Sequence, residues 1–414
     1  MLNLGAGSTW PGEIALKLNK NFISEVAKAN KFKIIIIAGT NGKTTTTTLL
    51  RFLLGKTNIK SFQNEEGANL LNGIASALIK NLSSSGTSNH DFAVFEVDEN
   101  TLPLILKEAG PYAVILLNLF RDQLDRYGEV NTIANKWRES IKKLNKETFV
   151  ILNGDDPQVS FAGKNISAST YYFGVGESLA TKKEIPHDVD SIYCPSCSLM
   201  LKYSGIVYSH LGKYKCLRCG FTNPRILNYD FDLPLKGIYN KYNANAVFVF
   251  LDQVLHLPLI KIKENLSLFK PAFGRQEEII YKKRKIHLLL SKNPTGFNQS
   301  IEAIDEINQG KKASLLLVLN DRIPDGRDIS WIWDVEFEKL ESGFSQIIAS
   351  GDRCFDMGLR LKYSEVKNFK VEEDLKKAVE EIVDKTKVEE KIVVLATYTG
   401  MLEVREILTG RKLL

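Results

Sequence analysis

The first half of the chain repeats one pattern, in which a short run of apolar, often β-branched residues is followed at once by glycine or polar residues. The runs cover residues 34–38, 92–97, 113–117 and 149–152. Such runs are typical of parallel strands that are buried on both faces. Because helical stretches separate them, the pattern predicts an α/β fold with a doubly wound parallel sheet. Its site is expected at the carboxyl ends of the strands.

The pattern restarts in the last third of the chain. The segments KIHLLLSKNP, ASLLLVLNDRIPDGRDISWIWDVEFEKL, FSQIIASGDRCFDMGLRLKY and EKIVVLATYTGMLEVREIL each combine an apolar strand with a loop and an amphipathic helix. This predicts a second, smaller α/β domain, joined through a linker at residues 271–277. The expected domains are residues 1–275 and residues 276–414.

The first strand runs into GTNGKT, residues 39–44, and a predicted helix follows. In this arrangement backbone N–H groups and the helix N-terminus hold a phosphate, the lysine reaches the outer phosphates, and the hydroxyl of Thr44 binds Mg²⁺. The pattern G-x-x-x-x-G-K-[ST] would need glycine at position 37, where this chain has Ile37, so the match is to a shorter variant. A simple glycine turn is the alternative.

The second strand ends in carboxylates, Glu96, Asp98 and Glu99. Carboxylates beside a phosphate-binding loop are suitable ligands for Mg²⁺. A solvated acidic strand end is the alternative.

Two CxxC pairs bracket short alternating strands within residues 190–223. They are Cys194 with Cys197 and Cys216 with Cys219. Four thiolates can close a tetrahedral Zn²⁺ site with no open position, so the pattern predicts a structural zinc ribbon. Disulfide bonds are the alternative interpretation, but disulfides are rare in cytoplasmic proteins.

Composition limits the class of protein. The 414 residues are 44% hydrophobic and 25% charged, with a net charge of +6, which is typical of a soluble globular protein. No apolar run is long enough for a bilayer and no signal peptide is evident, so we expect a cytoplasmic protein. The mild positive charge disfavours a nucleic-acid partner but allows weak attraction to an anionic membrane surface.

The motifs GTNGKT, FEVDE, NLFRDQLDRYG, LNGDDP, PLKGIYNKYNANAV and AFGRQE together resemble the Mur ligase family over residues 34–277. The resemblance implies that ATP phosphorylates a carboxylate and that an amine attacks the acyl phosphate. By position, Lys43 binds the terminal phosphates and Thr44 with Glu96 holds Mg²⁺. The remaining implied nucleotide-binding residues are Gly39, Thr40, Asn41, Gly42, Thr45, Asn240, Asn243 and Arg275.

The chain departs from this family at three points. Gln123 replaces a histidine, and Trp137 occupies the spacing of a lysine that many members carbamylate for a second metal, with Lys136 one residue away. Only residues 1–33 precede the first strand, whereas a typical member carries a whole UDP-binding domain there. We therefore expect a lipid-linked substrate or one unrelated to the cell wall.

The last third resembles the MurT family, the ligase subunits that act with GatD glutaminases on lipid II. NDRIPDGRDISWIWDVEFE, KNPTGFNQ and ATYTGMLEVR carry this resemblance. It implies amidation of the D-glutamate α-carboxylate of the lipid II stem peptide to D-isoglutamine, with ammonia from a GatD-like partner. Asp356, or else Asp352, would complete the partner's catalytic triad. An exposed carboxylate at a helix N-terminus is the alternative.

The remaining cysteine, Cys354, precedes helical periodicity and is expected to be structural, so this chain makes no ammonia itself. Asp325, Arg327 and Asp328 lie in a predicted turn, where either a nucleotide or closure role or a plain turn is expected. Trp331 and Trp333 are expected to be core or interface residues. Two other functions stay open: a ligase similar to folylpolyglutamate synthases, and a zinc-ribbon nucleic-acid-binding ATPase.

Overall fold

The computed structural model describes residues 9–65, 67–122, 130–183, 185–186, 189–270, 274–340 and 343–411. The predicted motif residue Gln123 and the first part of the linker, residues 271–273, lie outside these ranges.

A six-stranded sheet with all its strands parallel forms the core of the first domain, which confirms the predicted doubly wound fold. The strand order is β2-β3-β1-β4-β5-β6. The strands are β1 (Lys33–Ala38), β2 (Ser61–Gln63), β3 (Phe92–Val97), β4 (Ala113–Leu116), β5 (Phe149–Asn153) and β6 (Ser169–Phe173).

Helices cover both faces of this sheet. Strand β1 alternates between them, because Ile34 and Ile36 enter one apolar core while Ile35 and Ile37 enter the other. The first face packs α1 (Trp10–Leu18), α2 (Phe22–Ala29), α4 (Leu71–Lys80), α5 (Leu102–Ala109), α6 (Val130–Ile141) and α7 (Pro157–Ala162). The second face packs α3 (Lys43–Lys56), α8 (Ile238–Val249) and α9 (Leu259–Leu266).

The cysteine-rich insertion is a small unit between β6 and α8. Its hairpin consists of β7 (Lys202–Tyr208) and β8 (Leu211–Lys215), which pair antiparallel. Its own core contains Cys194, Leu201, Tyr214 and Cys216. The predicted short strands are therefore present beside the cysteines.

A second six-stranded sheet forms the C-terminal unit, in the order β13-β12-β11-β14-β10-β9. Its strands are β9 (Arg275–Tyr281), β10 (Arg284–Leu290), β11 (Ala313–Val318), β12 (Phe344–Ser350), β13 (Phe369–Val371) and β14 (Lys391–Ala396). Helices α10 (Pro294–Asn308) and α11 (Cys354–Tyr363) contribute to one core, and α12 (Leu375–Lys385) and α13 (Tyr398–Thr409) to the other. The second α/β unit is therefore confirmed.

Strand β9 is the antiparallel edge of this second sheet. Arg275, predicted to lie in the linker, is its first residue. Among the helices of the described residues, none is both long and apolar enough to cross a bilayer.

Candidate functional site

The glycine loop at residues 39–42 connects β1 to α3. Gly42 has φ +91°, and a Cβ atom there would lie 2.1 Å from Oδ1 of Asn243. Asn118, which follows β4, fixes the loop from the other side: its Oδ1 accepts from Asn41 N at 2.9 Å and its Nδ2 donates to Asn41 O at 3.0 Å. The loop is therefore held between Asn118, which follows β4, and Asn243 of α8.

Lys43 begins α3, and its ammonium lies over the loop. Its Nζ donates to Gly39 O and Thr40 O and forms an ion pair with Glu99 at 3.1 Å. Burial lowers the pKa of Lys43, but the carboxylates of Glu99, Asp98, Glu96 and Asp122 outweigh that effect, so the net pKa is raised. The residue is therefore charged at neutral pH and lies beside the loop.

The carboxyl end of β3 supplies a group of buried carboxylates. Glu96, Asp98 and Glu99 are each no more than 5% exposed. They line a cleft of about 310 Å³ together with Lys43 and Thr44. Hydroxyl and carboxylate oxygens are the ligands that Mg²⁺ prefers, so this donor set fits the ion that the sequence predicts for Thr44 and Glu96.

A second, smaller cavity of about 70 Å³ lies on the other side of the loop. Thr45, Asn240, Asn243 and two aromatic residues, Tyr208 and Tyr239, line it. The cavities share lining residues, among them Asn41, Gly42 and Arg275. The structure thus brings the predicted nucleotide-binding residues together around the loop: Gly39, Thr40, Asn41, Gly42, Lys43, Thr44, Thr45, Asn240, Asn243 and Arg275.

The C-terminal unit closes over the loop through polar contacts. Asn293 Nδ2 donates to Asn41 Oδ1 at 3.1 Å, and Lys292 pairs with Asp122 in the carboxylate cleft. Burial raises the pKa of Asp122, although Lys292 opposes that shift. Sequence reasoning missed the roles of Asn118, Lys292 and Asn293, although each lies in a quoted motif directly after an apolar run.

The four cysteines of the insertion converge. Their Sγ atoms all lie within 4.8 Å of one another, with Cys194 to Cys219 at 3.6 Å and Cys197 to Cys216 at 3.4 Å. A disulfide would need about 2.05 Å, and all four are free thiols. Zn–S bonds of about 2.3 Å in a tetrahedron place sulfurs about 3.8 Å apart. The arrangement fits the predicted zinc.

The insertion is attached to the first domain at the turn between β5 and α7. Gly212 N donates to Asp155 O at 3.0 Å, and Tyr214 Oη donates to Gly154 O at 3.1 Å. At the hairpin tip, the ring of fully buried His210 lies 5.0 Å from that of Phe120. Next to this tip, Tyr208 reaches the smaller cavity. No sequence signal marked Tyr208.

The two partner-facing candidates differ in their surroundings. Arg322 holds both oxygens of Asp352, at 2.8 and 3.1 Å, whereas Arg353 Nε donates to Oδ2 of Asp356 at 2.8 Å. Asp356 lies in the first turn of α11. On that helix Phe355, Leu359 and Tyr363 are 63%, 48% and 69% exposed.

Neither Trp137 nor Lys136, at and beside the spacing of the family's carbamylated lysine, is among the described residues that line the carboxylate cleft. Trp137 is fully buried, and its Nε1 donates to Glu99 O at 2.8 Å. Lys136 is exposed, with Nζ 3.5 Å from Asn100 Oδ1. The indole therefore fixes the backbone of the acidic strand end.

The predicted turn at residues 325–328 lies between β11 and β12 in the chain and contacts the start of α13. Asp325 is buried and accepts from Thr399 N at 2.8 Å and from its hydroxyl, and Asp328 accepts from Ser330 N at 2.8 Å. Trp331 packs on Phe297 in the core.

Comparison with known proteins gives two family matches. A model described as the Mur ligase middle domain matches residues 37–251, and one described as the MurT ligase C-terminal domain matches residues 290–401. Among solved structures, a pseudomurein peptide ligase type C from Methanothermus fervidus has a TM-score of 0.66 at 23% identity, covering 92% of this chain and 79% of that chain.

Two curated relatives carry the description "Lipid II isoglutaminyl synthase (glutamine-hydrolyzing) subunit MurT". The Staphylococcus aureus protein is 35% identical over 91% of this chain and 88% of its own length. The Streptococcus pneumoniae protein is 34% identical over 99% of this chain and 94% of its own length. The chain therefore belongs to the MurT family of Mur-type ligase subunits.

Proposed function

We propose that this chain uses ATP to amidate the D-glutamate α-carboxylate of the lipid II stem peptide, giving D-isoglutamine in peptidoglycan synthesis. The observation that carries the proposal is the glycine loop between two cavities. One cavity has a wall suited to a nucleoside, and the other contains carboxylates and Lys43. Membership of the MurT family supports the choice of lipid II as the substrate.

In the first step, a carboxylate oxygen of the acceptor attacks the γ-phosphorus of ATP, and the bond to the β-phosphate oxygen breaks. The products are an acyl phosphate and ADP. Lys43 and Arg275 face the negative charge that develops on the transferred group. Thr44 and Glu96 would hold Mg²⁺, which supplies further neutralisation of phosphate charge when bound.

In the second step, the nitrogen lone pair of ammonia attacks the acyl carbon. The bond from that carbon to the phosphate oxygen then breaks, and inorganic phosphate leaves with the electron pair. The nitrogen loses a proton and the amide remains. Cys354 is 3% exposed and begins α11, so it is a poor candidate for a glutaminase nucleophile. We therefore propose that a separate glutaminase supplies the ammonia.

The exposed face of α11 supports docking of a GatD-like glutaminase there. Phe355, Leu359 and Tyr363 recur at four-residue spacing, and Trp333 packs edge-on against Tyr363 at 5.6 Å. Exposed aromatic residues of this kind are common anchors at protein interfaces. Asp356 lies in the same helix and would orient the partner's catalytic histidine.

Substitution of Lys43 tests the ATP chemistry. We expect Lys43→Ala to lower lipid-II-dependent ADP release by at least about 100-fold, since a charge that stabilises the transition state is removed. Hydroxylamine trapping should detect the acyl phosphate in the native protein and not in the variant. Lys56→Ala, at the exposed end of the same helix, is the control. Equal activity of both variants would reject the role of Lys43.

Asp356→Asn tests the partner role in the reconstituted complex. The glutamine-driven reaction should fall by roughly 1,000-fold or more because the histidine loses its orienting carboxylate, while the ammonia-driven reaction survives. Asp352→Asn is the comparison, and it should retain both reactions. Loss of the ammonia-driven reaction in Asp356→Asn would mean that Asp356 does something else.

A further inference from the structure

Helix α1 presents an apolar stripe to the outside of the molecule. Trp10, Ile14 and Leu18 are 50%, 52% and 84% exposed. Residues four apart lie on one face of a helix, so the three side chains form a continuous line. Single exposed apolar residues are ordinary, whereas a stripe that includes tryptophan marks an interaction surface.

The opposite face of α1 is fixed to the domain. Gly12 N donates to Ser76 Oγ at 2.8 Å, and a Cβ atom at Gly12 would lie 1.9 Å from Asn72 O in α4. Leu16 packs against the apolar core. The backbone of α1 therefore lies directly on α4, and the stripe is held outward by tertiary packing.

The chain segment that carries the stripe has a positive net charge, although Lys17 on α1 itself pairs with Glu13 at 2.8 Å. Residues 9–33 contain five lysines and two glutamates, and each lysine is exposed: Lys17, Lys20, Lys28, Lys31 and Lys33. A short helix with tryptophan and aliphatic residues on one face, followed along the chain by exposed lysines, is suited to the interface of an anionic bilayer. We infer that α1 docks this protein on the surface of an anionic lipid membrane.

The location of α1 gives this docking a use. Leu70, directly before α4, is 44% exposed and lines the carboxylate cleft together with Gly67 and Asn69. Gly12 contacts α4 at Asn72, two residues further on. Docking through α1 would thus bring the acceptor end of the cleft close to the lipid surface. The docking itself does not depend on the proposed chemistry.

Vesicle sedimentation tests the surface without any substrate. The full chain should bind vesicles of phosphatidylglycerol and phosphatidylcholine, and bind phosphatidylcholine vesicles more weakly. The triple substitution Trp10→Ala, Ile14→Ser and Leu18→Ser should lower partitioning by about tenfold or more. The control is Ile260→Ser with Leu268→Ser, which removes two exposed apolar side chains at α9, on the other face of the first sheet.

Fluorescence gives a second readout that does not require the triple variant to fold. Lipids with brominated acyl chains should quench part of the tryptophan emission of the native chain, and Trp10→Phe should remove that quenching while vesicle binding persists. Unchanged partitioning of a folded triple variant would overturn the inference. So would quenching that persists in Trp10→Phe. ADP release on detergent-solubilised lipid II should be unaffected in all these variants.

Discussion

At the scale of single residues, Gly42 shows how tightly the loop is packed against α8. Its φ of +91° is a conformation that residues with a Cβ avoid, and the Cβ atom would contact Asn243 in the buried helix. Substitution must therefore displace either the loop or Asn243, and both line the smaller cavity.

We accordingly expect Gly42→Ala to weaken the binding of a non-hydrolysable ATP analogue by about tenfold or more, since strained backbone of this kind costs about 1–3 kcal/mol. Titration calorimetry measures the affinity. Gly55→Ala is the matched control, because a Cβ atom at Gly55 in α3 meets nothing within 4 Å. Equal affinities would show that the loop tolerates the added carbon.

The buried carboxyl group of Asp155 should make the stability of the protein depend on pH. Burial raises its pKa to about 6, although Val175 N and the Tyr242 hydroxyl donate to it and oppose the shift. The pKa in the folded state lies above the reference value of 3.8. The stability that the protonated group contributes is therefore fully present below the reference pKa and is lost as pH rises through about 6.

Asp155→Asn should remove this dependence. Relative to the native chain, the variant should gain free energy of unfolding between pH 4 and pH 7, by at most about 3 kcal/mol. Denaturant titrations of both proteins at several pH values measure the difference. If the difference in free energy of unfolding between the two proteins stays constant from pH 4 to pH 7, the pKa of Asp155 is not raised.

At the scale of elements, the ribbon hairpin β7–β8 forms part of the wall of the smaller cavity, because Tyr208 lines that cavity while the cysteines lie at the other end of the insertion. The hairpin rests on the turn after β5 through Gly212 and Tyr214. Loss of the metal should therefore loosen a wall of the cavity.

We expect chelation of zinc to lower nucleotide affinity severalfold, and bound nucleotide to slow zinc release, since coupling between two sites is reciprocal. A colorimetric zinc assay and calorimetry measure the two effects. Tyr208→Ala should weaken nucleotide binding with zinc retained. Met200→Ala, at an exposed position of the insertion, is the control. If chelation leaves nucleotide affinity unchanged, the ribbon and the cavity are independent.

The sequence predicted the elements whose signal is local. The isoleucines of β1 indicated a buried strand, and the glycine loop indicated a turn into a helix; both are present, while phosphate binding at the loop stays a prediction. The edge strand β9 was missed because RQEEIIY begins with four polar residues and has little apolar pattern. Tyr208 was missed because its position at the cavity depends on how the hairpin packs on a distant turn.

At the scale of the whole molecule, ionic contacts join the two α/β units. Arg121 Nη2 lies 2.9 Å from Asp334 Oδ2, and Arg121 also pairs with Asp190, beside the insertion, at 3.2 Å. One guanidinium thus contacts both the insertion region and the C-terminal unit. In this arrangement of the two units, Lys292 of the C-terminal unit lines the carboxylate cleft of the first domain.

Asp334→Asn should favour opening of the two units. We expect a larger radius of gyration by small-angle X-ray scattering without nucleotide, and a return towards the native value with saturating nucleotide, because a ligand selects the state that it binds. Lys339→Gln is the control, since its partners Glu336 and Glu302 lie in the same unit. Identical scattering from both variants would show that the ion pair between Arg121 and Asp334 does not hold the two units together.

The position of the glycine loop between its two cavities has a kinetic consequence. The nucleoside would sit on the Tyr208 side and the acceptor on the Glu96 side, and the two cavities share Asn41, Gly42, Arg275 and Leu290 as lining residues. Because Lys43 and Thr44 also line the Glu96 side, the phosphates of the nucleotide would extend into the acceptor's cleft. Each substrate should therefore change the rate at which the other enters and leaves.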